Sequence, residues 1–202
     1  VSILNEGIHV LKMLLGSNNG SVSSSIPPSV SFKGDYFKIN GASFNNHAKK
    51  IPITIAAKKN QMMRIAAKYA DIWESSYLSP AQFSSLDAHF ESLVTALKDA
   101  DDKYEHRKIS RSIELDVLIA ESESELEYKK RIFAMERGPA VYNQVLNNGL
   151  VGTPDNISKR VKEYTEAGIN QFFLAFQDPF DFKALELFMN TVKGGVGESK
   201  YC

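Results

Sequence analysis

The chain has 202 residues, of which 43% are hydrophobic and 24% charged, the composition of a globular chain with a real core. Its 24 Lys and Arg balance 24 Asp and Glu, for a formal net charge of zero, and no block of like charge is long enough to prescribe a nucleic-acid or membrane surface. The one cysteine, Cys202, excludes an internal disulfide framework and a cysteine-based metal site; with no apolar run of about 18 residues and no signal peptide, the chain reads as cytoplasmic.

In chain order, Ile3, Leu4, Ile8, Leu11 and Leu15 recur at three- and four-residue steps and predict a helix over 1–15. No capping residue precedes it, so it reads as a helix entered in mid-course and the chain as a truncated one. Removal of a short leader is the alternative. The stop at Gly16–Gly20 leads into a Ser- and Pro-rich stretch, 21–31, expected to be a mobile surface loop. Residues 31–39 predict a hairpin that turns at Gly34-Asp35. The β-branched run IPITIAA, 51–57, predicts a buried strand, and Met62, Met63, Ile65, Ala66 and Tyr69 mark a helix after it.

Asp71-Ile72-Trp73 predicts a second short strand, and Phe83, Leu86, Phe90, Leu93, Val94 and Leu97 a helix over 81–101. In a third strand, 111–120, Ile113, Leu115, Val117 and Ile119 alternate. The helix over 124–146 must break or restart at Gly138-Pro139. Thr153 as cap, Pro154 in the first helical position and Asp155 at the positive end predict the next helix start, and Gly168 predicts its stop. QFFLAF, 171–176, is a fourth strand, Asp178-Pro179 turns the chain into a last helix, 182–192, and 193–202 is expected to be a flexible tail.

Strands alternating with helices imply crossovers and a parallel sheet. Four of them make a small open sheet or half of an eight-stranded barrel. Short strands and long intervening helices favour the barrel. No glycine-rich phosphate fingerprint follows any strand, which weakens a dinucleotide-binding sheet. The expected fold class is therefore α/β, a partial (β/α)₈ barrel with an inserted β-hairpin, residues 1–192 forming the half-barrel.

Several ordered pieces then carry a family resemblance. They are the hairpin VSFKGDYF at 30–37, Asn40-Gly41-Ala42-Ser43, the strand IPITIAA, RIAAKYADIW at 64–73, Val151-Gly152-Thr153-Pro154, and EYTEAGINQF at 163–172. In order and spacing, over about residues 1–192, the chain resembles the luciferase-like superfamily of (β/α)₈ oxidoreductases. The strand end Ile55-Ala56-Ala57 is most similar to its coenzyme F420-dependent branch, which includes sugar-phosphate dehydrogenases and methylene-tetrahydromethanopterin reductases. The resemblance places the chain on barrel strands five to eight. It implies that strands one to four, with much of the cofactor floor and the usual His or Glu proton donor, lie outside it.

Function in such a barrel sits at the C-terminal ends of the strands. The resemblance implies cofactor contact at Ala56, Ala57, Lys58 and Lys59. Small residues there let backbone N–H groups approach the cofactor. The two lysines stand where glycines are usual in the family and offer point charges for a phosphate instead; a solvated charge pair is the alternative. Trp73 and Ser75, at the next strand end, and Gln177, after the last, are candidates for the substrate pocket, with Trp73 as plain core the competing reading. Asp71 is expected to make a structural hydrogen bond, and Glu121-Ser122-Glu123 to start a helix. The histidines His9, His47, His89 and His106 have no metal-ligand spacing, so no metal is expected.

The function that follows is flavin- or deazaflavin-dependent oxidoreduction of a small-molecule substrate. Hydride transfer with coenzyme F420 is favoured, an FMN-dependent monooxygenase is the alternative, and the full-length protein is expected to be a homo-oligomer. A non-catalytic half-barrel that pairs with another subunit is the reading from a different class.

Overall fold

The computed structural model describes residues 1–16, 29–43, 51–101, 108–176 and 181–195. The chain divides into two compact units, Val1–Trp73 with Leu93–Ile109, and Glu74–Ser92 with Ser110–Cys202.

The first unit opens with helix α1 (Ser2–Gly16) and an antiparallel hairpin of β1 (Val30–Lys33) and β2 (Lys38–Ala42). The hairpin turns where expected: Gly34 N–H donates to Phe37 O at 2.9 Å. Helix α1 holds that turn. The Glu6 carboxylate accepts N–H bonds from Asp35, Tyr36 and Phe37 at 3.1, 3.0 and 2.7 Å. Strand β3 (Thr54–Ala56) follows, shorter than the predicted 51–57. Pro52 has no N–H to give to a ladder, and Ile53 is engaged by the next segment. Its N–H donates to Asp71 Oδ2 at 3.0 Å, and its carbonyl accepts from the N–H groups of Asp71 and Ile72. Asp71 thus makes the structural bond expected of it. Helix α2 (Asn60–Tyr69) buries Met63, Ile65, Ala66, Ala67 and Tyr69.

Strand β4 (Ile72–Ser76) is longer than the three residues predicted and carries the chain from the first unit to the second. Helix α3 (Pro80–Ala100) follows, then the long strand β5 (Ser110–Ile119). Arg111 ties β5 to α3: its guanidinium pairs with Asp87 at 2.7 Å and with Glu91, and lies 5.0 Å over the Phe90 ring. Helix α4 (Glu123–Asn148) starts on Ser122, whose hydroxyl accepts Glu125 N–H. It breaks at Gly138, where φ is 78° and ψ 166°, a conformation essentially reserved for glycine.

A strand with no counterpart in the sequence reading comes next, β6 (Leu150–Gly152). Three residues are too few to show an alternation. Helix α5 (Pro154–Glu166) has Thr153 in the capping position, but the Thr153 hydroxyl makes no capping bond, which corrects the capping role expected for it. Gly168, at φ +103°, ends the helix as predicted. Strand β7 (Gln171–Phe176) and helix α6 (Phe182–Gly195) complete the second unit. Helix α6 passes the expected boundary at 192. The loop expected at 21–28, His47, His106, Gln177 to Pro179 and the end of the expected tail, 196–202, lie outside the described residues.

In the second unit β5 is central. It pairs in parallel with β6 through Val117↔Leu150 to Ile119↔Gly152, and with β7 through Ser112↔Gln171 to Val117↔Phe176. Two faces follow from the period of two. Arg111 reaches α3, Phe172 packs edge-on to Tyr164 of α5, and Phe176 packs edge-on to Phe188 of α6. The odd positions of β5 with the even positions of β7 therefore face the helices. Ser112, Glu114 and Asp116, with Gln171, Phe173 and Ala175, take the other face. At the end of β5, Leu118 and Ala120 join Leu126, Phe133 and Val145 of α4 in a buried cluster.

Candidate functional site

The sequence-selected positions begin at the end of β3. Ala56 is exposed, Ala57 is buried, and Lys58 and Lys59 are exposed. Trp73 is fully buried, and its indole Nε1–H donates to Ala57 O at 2.8 Å. The ring therefore backs the β3 end from the core. Lys59 occupies the capping position of α2 in an extended conformation (φ −93°) and gives the first helical turn no side-chain acceptor. The turn between β3 and α2 thus needs no positive φ, and lysines fit where the family resemblance calls for glycines. Two cations flank a helix start whose N–H groups carry partial positive charge.

Ser75 is 1% exposed, and its Oγ has no hydrogen-bond partner. Along β4 it shares a face with Trp73, and Glu74 and Ser76 share the other. The structure therefore joins Ala57 to Trp73 directly. It leaves Ser75 as a buried hydroxyl on the strand.

A polar cluster that sequence reasoning passed over gathers around the end of β4 and the even positions of β5 in the second unit. Glu74 senses Glu114 and lies 3.5 Å from the Ser76 hydroxyl. Partial burial first, and the Glu114 charge second, hold the Glu74 carboxyl above the usual carboxylate range, while Ser76 pulls it back. Just past β4, Tyr77 is the one non-glycine residue among the described residues with positive φ, 51°. Such backbones persist only where their surroundings hold them, and here the partners are visible. Tyr77 N–H donates to Glu114 O at 3.1 Å. Tyr77 O accepts from Asn148 Nδ2 at 3.0 Å. The Tyr164 hydroxyl lies 2.9 Å from Leu78 O and 2.5 Å from Asn148 O, its one proton serving both carbonyls. Burial, then the charge of Asp116 and a hydrogen bond to it, push the Tyr77 phenol up to about 12. The phenol is therefore a donor at neutral pH. The cluster thus holds two groups suited to carrying a proton, the Glu74 carboxyl next to Glu114 and the Tyr77 phenol next to Asp116.

The signal for this cluster was present in β5, where Ser112, Glu114 and Asp116 alternate with Ile113, Leu115 and Val117. An alternating strand ordinarily turns its polar side to solvent. In a (β/α)₈ barrel that side is the interior. Among the described residues no group of three or more His, Cys, Asp or Glu is arranged to hold a metal ion, and no helix is long and apolar enough to cross a membrane.

Known proteins share this architecture. An F420-dependent secondary alcohol dehydrogenase, in complex with an F420-acetone adduct, matches with a TM-score of 0.71 at 17% identity, over 95% of this chain and 61% of that one. EDTA monooxygenase from Chelativorans sp. BNC1 matches with a TM-score of 0.69 at 16% identity, over 93% and 57%. Coenzyme F420-dependent tetrahydromethanopterin reductase from Methanopyrus kandleri matches with a TM-score of 0.62 at 16% identity, over 94% and 61%. The chain thus spans 57 to 61% of the length of these three structures. At this identity they show the fold, a partial (β/α)₈ barrel. No curated protein sequence matches the chain. The family model for luciferase-like monooxygenases matches residues 1–138, which include α1, the hairpin and β3 to β5. The chain belongs to the luciferase-like monooxygenase family.

Proposed function

We propose that the chain is the C-terminal half of a flavin- or deazaflavin-dependent oxidoreductase, with coenzyme F420 favoured over FMN. The observation that carries this reading is the β3 end. Small Ala56 is open, and Lys58 and Lys59 are exposed at a helix start that lacks a side-chain cap. That donor set suits a cofactor with a phosphate on its side chain. Trp73 fixes the Ala57 carbonyl from behind and so orients the turn. When bound, the cofactor supplies hydride transfer in the F420 case or oxygen activation in the FMN case, and the protein supplies binding and orientation.

On the substrate side, the Tyr77 phenol beside Asp116 and the Glu74 carboxyl beside Glu114 are the groups able to carry a proton. Ser75 and Gln177 remain pocket candidates by their place at or after strand ends. FMN stays the alternative because the matched structures include monooxygenases as well as F420-dependent enzymes. The other four strands of a closed barrel come from more of the same polypeptide or from a second one.

Fluorescence titration with F420 and FMN tests the reading. In a barrel completed by strands one to four, replacing both lysines (Lys58→Ala with Lys59→Ala) weakens cofactor binding about tenfold, ~1.4 kcal/mol. The 202-residue chain by itself binds neither cofactor at micromolar concentration. Unchanged affinity in the double variant removes the β3 end from the cofactor site.

A further inference from the structure

A tyrosine hydroxyl taken out of water needs a hydrogen-bond partner. Tyr164 of α5 is fully buried. Its ring lies edge-on to Phe172 at 6.3 Å and under the Arg160 guanidinium at 5.1 Å. Its hydroxyl serves two backbone carbonyls, Leu78 O and Asn148 O. Burial is the first cause that pushes this phenol up to about 12, so it is a donor at neutral pH.

Both carbonyls bear on Tyr77. Leu78 is the next residue in the chain, and Asn148 is the residue whose carboxamide donates to Tyr77 O at 3.0 Å. One hydroxyl therefore grips the backbone on both sides of the Asn148–Tyr77 bond. Helix α5 holds the last turn of α4 a second time, because Arg160 Nη2 donates to Asn147 O at 2.9 Å. Gly149 then runs so close to β5 that a Cβ there would stand 3.0 Å from Asp116 O. The end of α4 thus meets Tyr77 through Asn148 and Asp116 through Gly149. A left-handed backbone at a non-glycine residue relaxes unless neighbouring bonds hold it. At Tyr77, where φ is 51°, those bonds are Glu114 O on the N–H and Asn148 on the carbonyl. Losing the second frees the peptide after Tyr77 to turn, and a changed φ swings the phenol away.

We propose that Tyr164 is a positioning residue for Tyr77: through Leu78 O and Asn148 O it keeps the left-handed turn and so directs the Tyr77 phenol onto Asp116. The inference deepens the oxidoreductase reading, on which the use of that phenol rests. The placement itself is a property of the chain with or without a cofactor.

NMR of the full chain with ¹³C-labelled tyrosine tests it, the Tyr77 signals being assigned through Tyr77→Phe. In the parent chain the left-handed φ gives Tyr77 a strong intraresidue HN–Hα cross-peak. Burial, Asp116 and Glu114, against Arg137, keep its phenol protonated to about pH 11. Tyr164→Phe keeps the ring and removes the donor. In that variant the cross-peak weakens to that of an ordinary residue, and the Tyr77 phenol ionises about tenfold more readily or beyond. Ile157→Val, a change at a fully buried position of the same helix, lowers stability and moves neither signal. Asn148→Ala, which keeps Tyr164 and removes the donor to Tyr77 O, gives the same change as Tyr164→Phe and serves if that variant misfolds. An unmoved Tyr77 in folded Tyr164→Phe, or in Asn148→Ala standing in for it, overturns the proposal. So does an Ile157→Val chain that moves both signals to the same extent. Both signals are read with no cofactor added, so a failed F420 or FMN titration counts against the oxidoreductase reading alone.

Discussion

Glu74 and Glu114 illustrate what a single residue gains from its place on a sheet. Each is an ordinary carboxylate in sequence, but the pairing of β4 with β5 through Tyr77 N–H sets both on one face. Partial burial, reinforced by the Glu114 charge, raises Glu74 above its usual 4.5. The sign of the consequence is definite. Between the unfolded and folded values the native state binds more protons than the unfolded chain, so stability falls as pH rises through that window. Replacing Glu114 by Gln removes one of the two raising causes. Glu74, followed by carboxyl NMR, then titrates closer to its usual value, and the loss of stability above that window shrinks. An unmoved Glu74 titration in Glu114→Gln means that burial alone sets it. The place of Ala56, Ala57, Lys58 and Lys59 at the end of β3 was legible because the strand itself is recognisable. Tyr77 was not, because its positive φ arises from bonds to Glu114 and Asn148, 37 and 71 positions away in sequence.

At the scale of elements, helix α4 joins two segments across Gly138. The preceding segment packs through Leu126 and Phe133 onto the β5 end and is fastened by Lys129 to Asp181. The following segment ends at Asn148, which holds the Tyr77 turn. A methyl group at Gly138 meets no atom within 4 Å, so the backbone conformation alone sets the cost of Gly138→Ala. That cost is about 1–3 kcal/mol, read as a lower urea midpoint with an unchanged m-value. A stability equal to that of the parent chain shows that the kink is not required. The Gly138-Pro139 pair announced this break because both residues act through their own backbone. The length of β3 was misjudged for the opposite reason. Ile51 and Ile53 have the composition of a strand, and only the bonds from Ile53 to Asp71 and Ile72 show where the ladder begins.

For the whole molecule, charge balance makes a prediction that needs no coordinates. With 24 positive and 24 negative side chains, the chain lacks net self-repulsion near neutral pH. The structure adds exposed Met135, Phe182 and Tyr128 at 81, 66 and 64%, surfaces that favour association. Light scattering of the purified chain is expected to peak near pH 7 and to fall on either side. A minimum near pH 7 contradicts this account. By itself the sequence determined the order of the helices and of every strand but β6, the hairpin turn at Gly34-Asp35, the α4 break and the family resemblance, because periodicity, turn chemistry and ordered motifs are local properties. Tertiary structure decided the rest. It showed which side of β5 meets helices, that Trp73 supports the β3 end from the core, that β6 exists, and that Tyr77 sits beside Asp116. Each of these depends on pairing between segments far apart in the chain, and an alternating strand does not disclose whether its polar side meets water or the inside of a barrel.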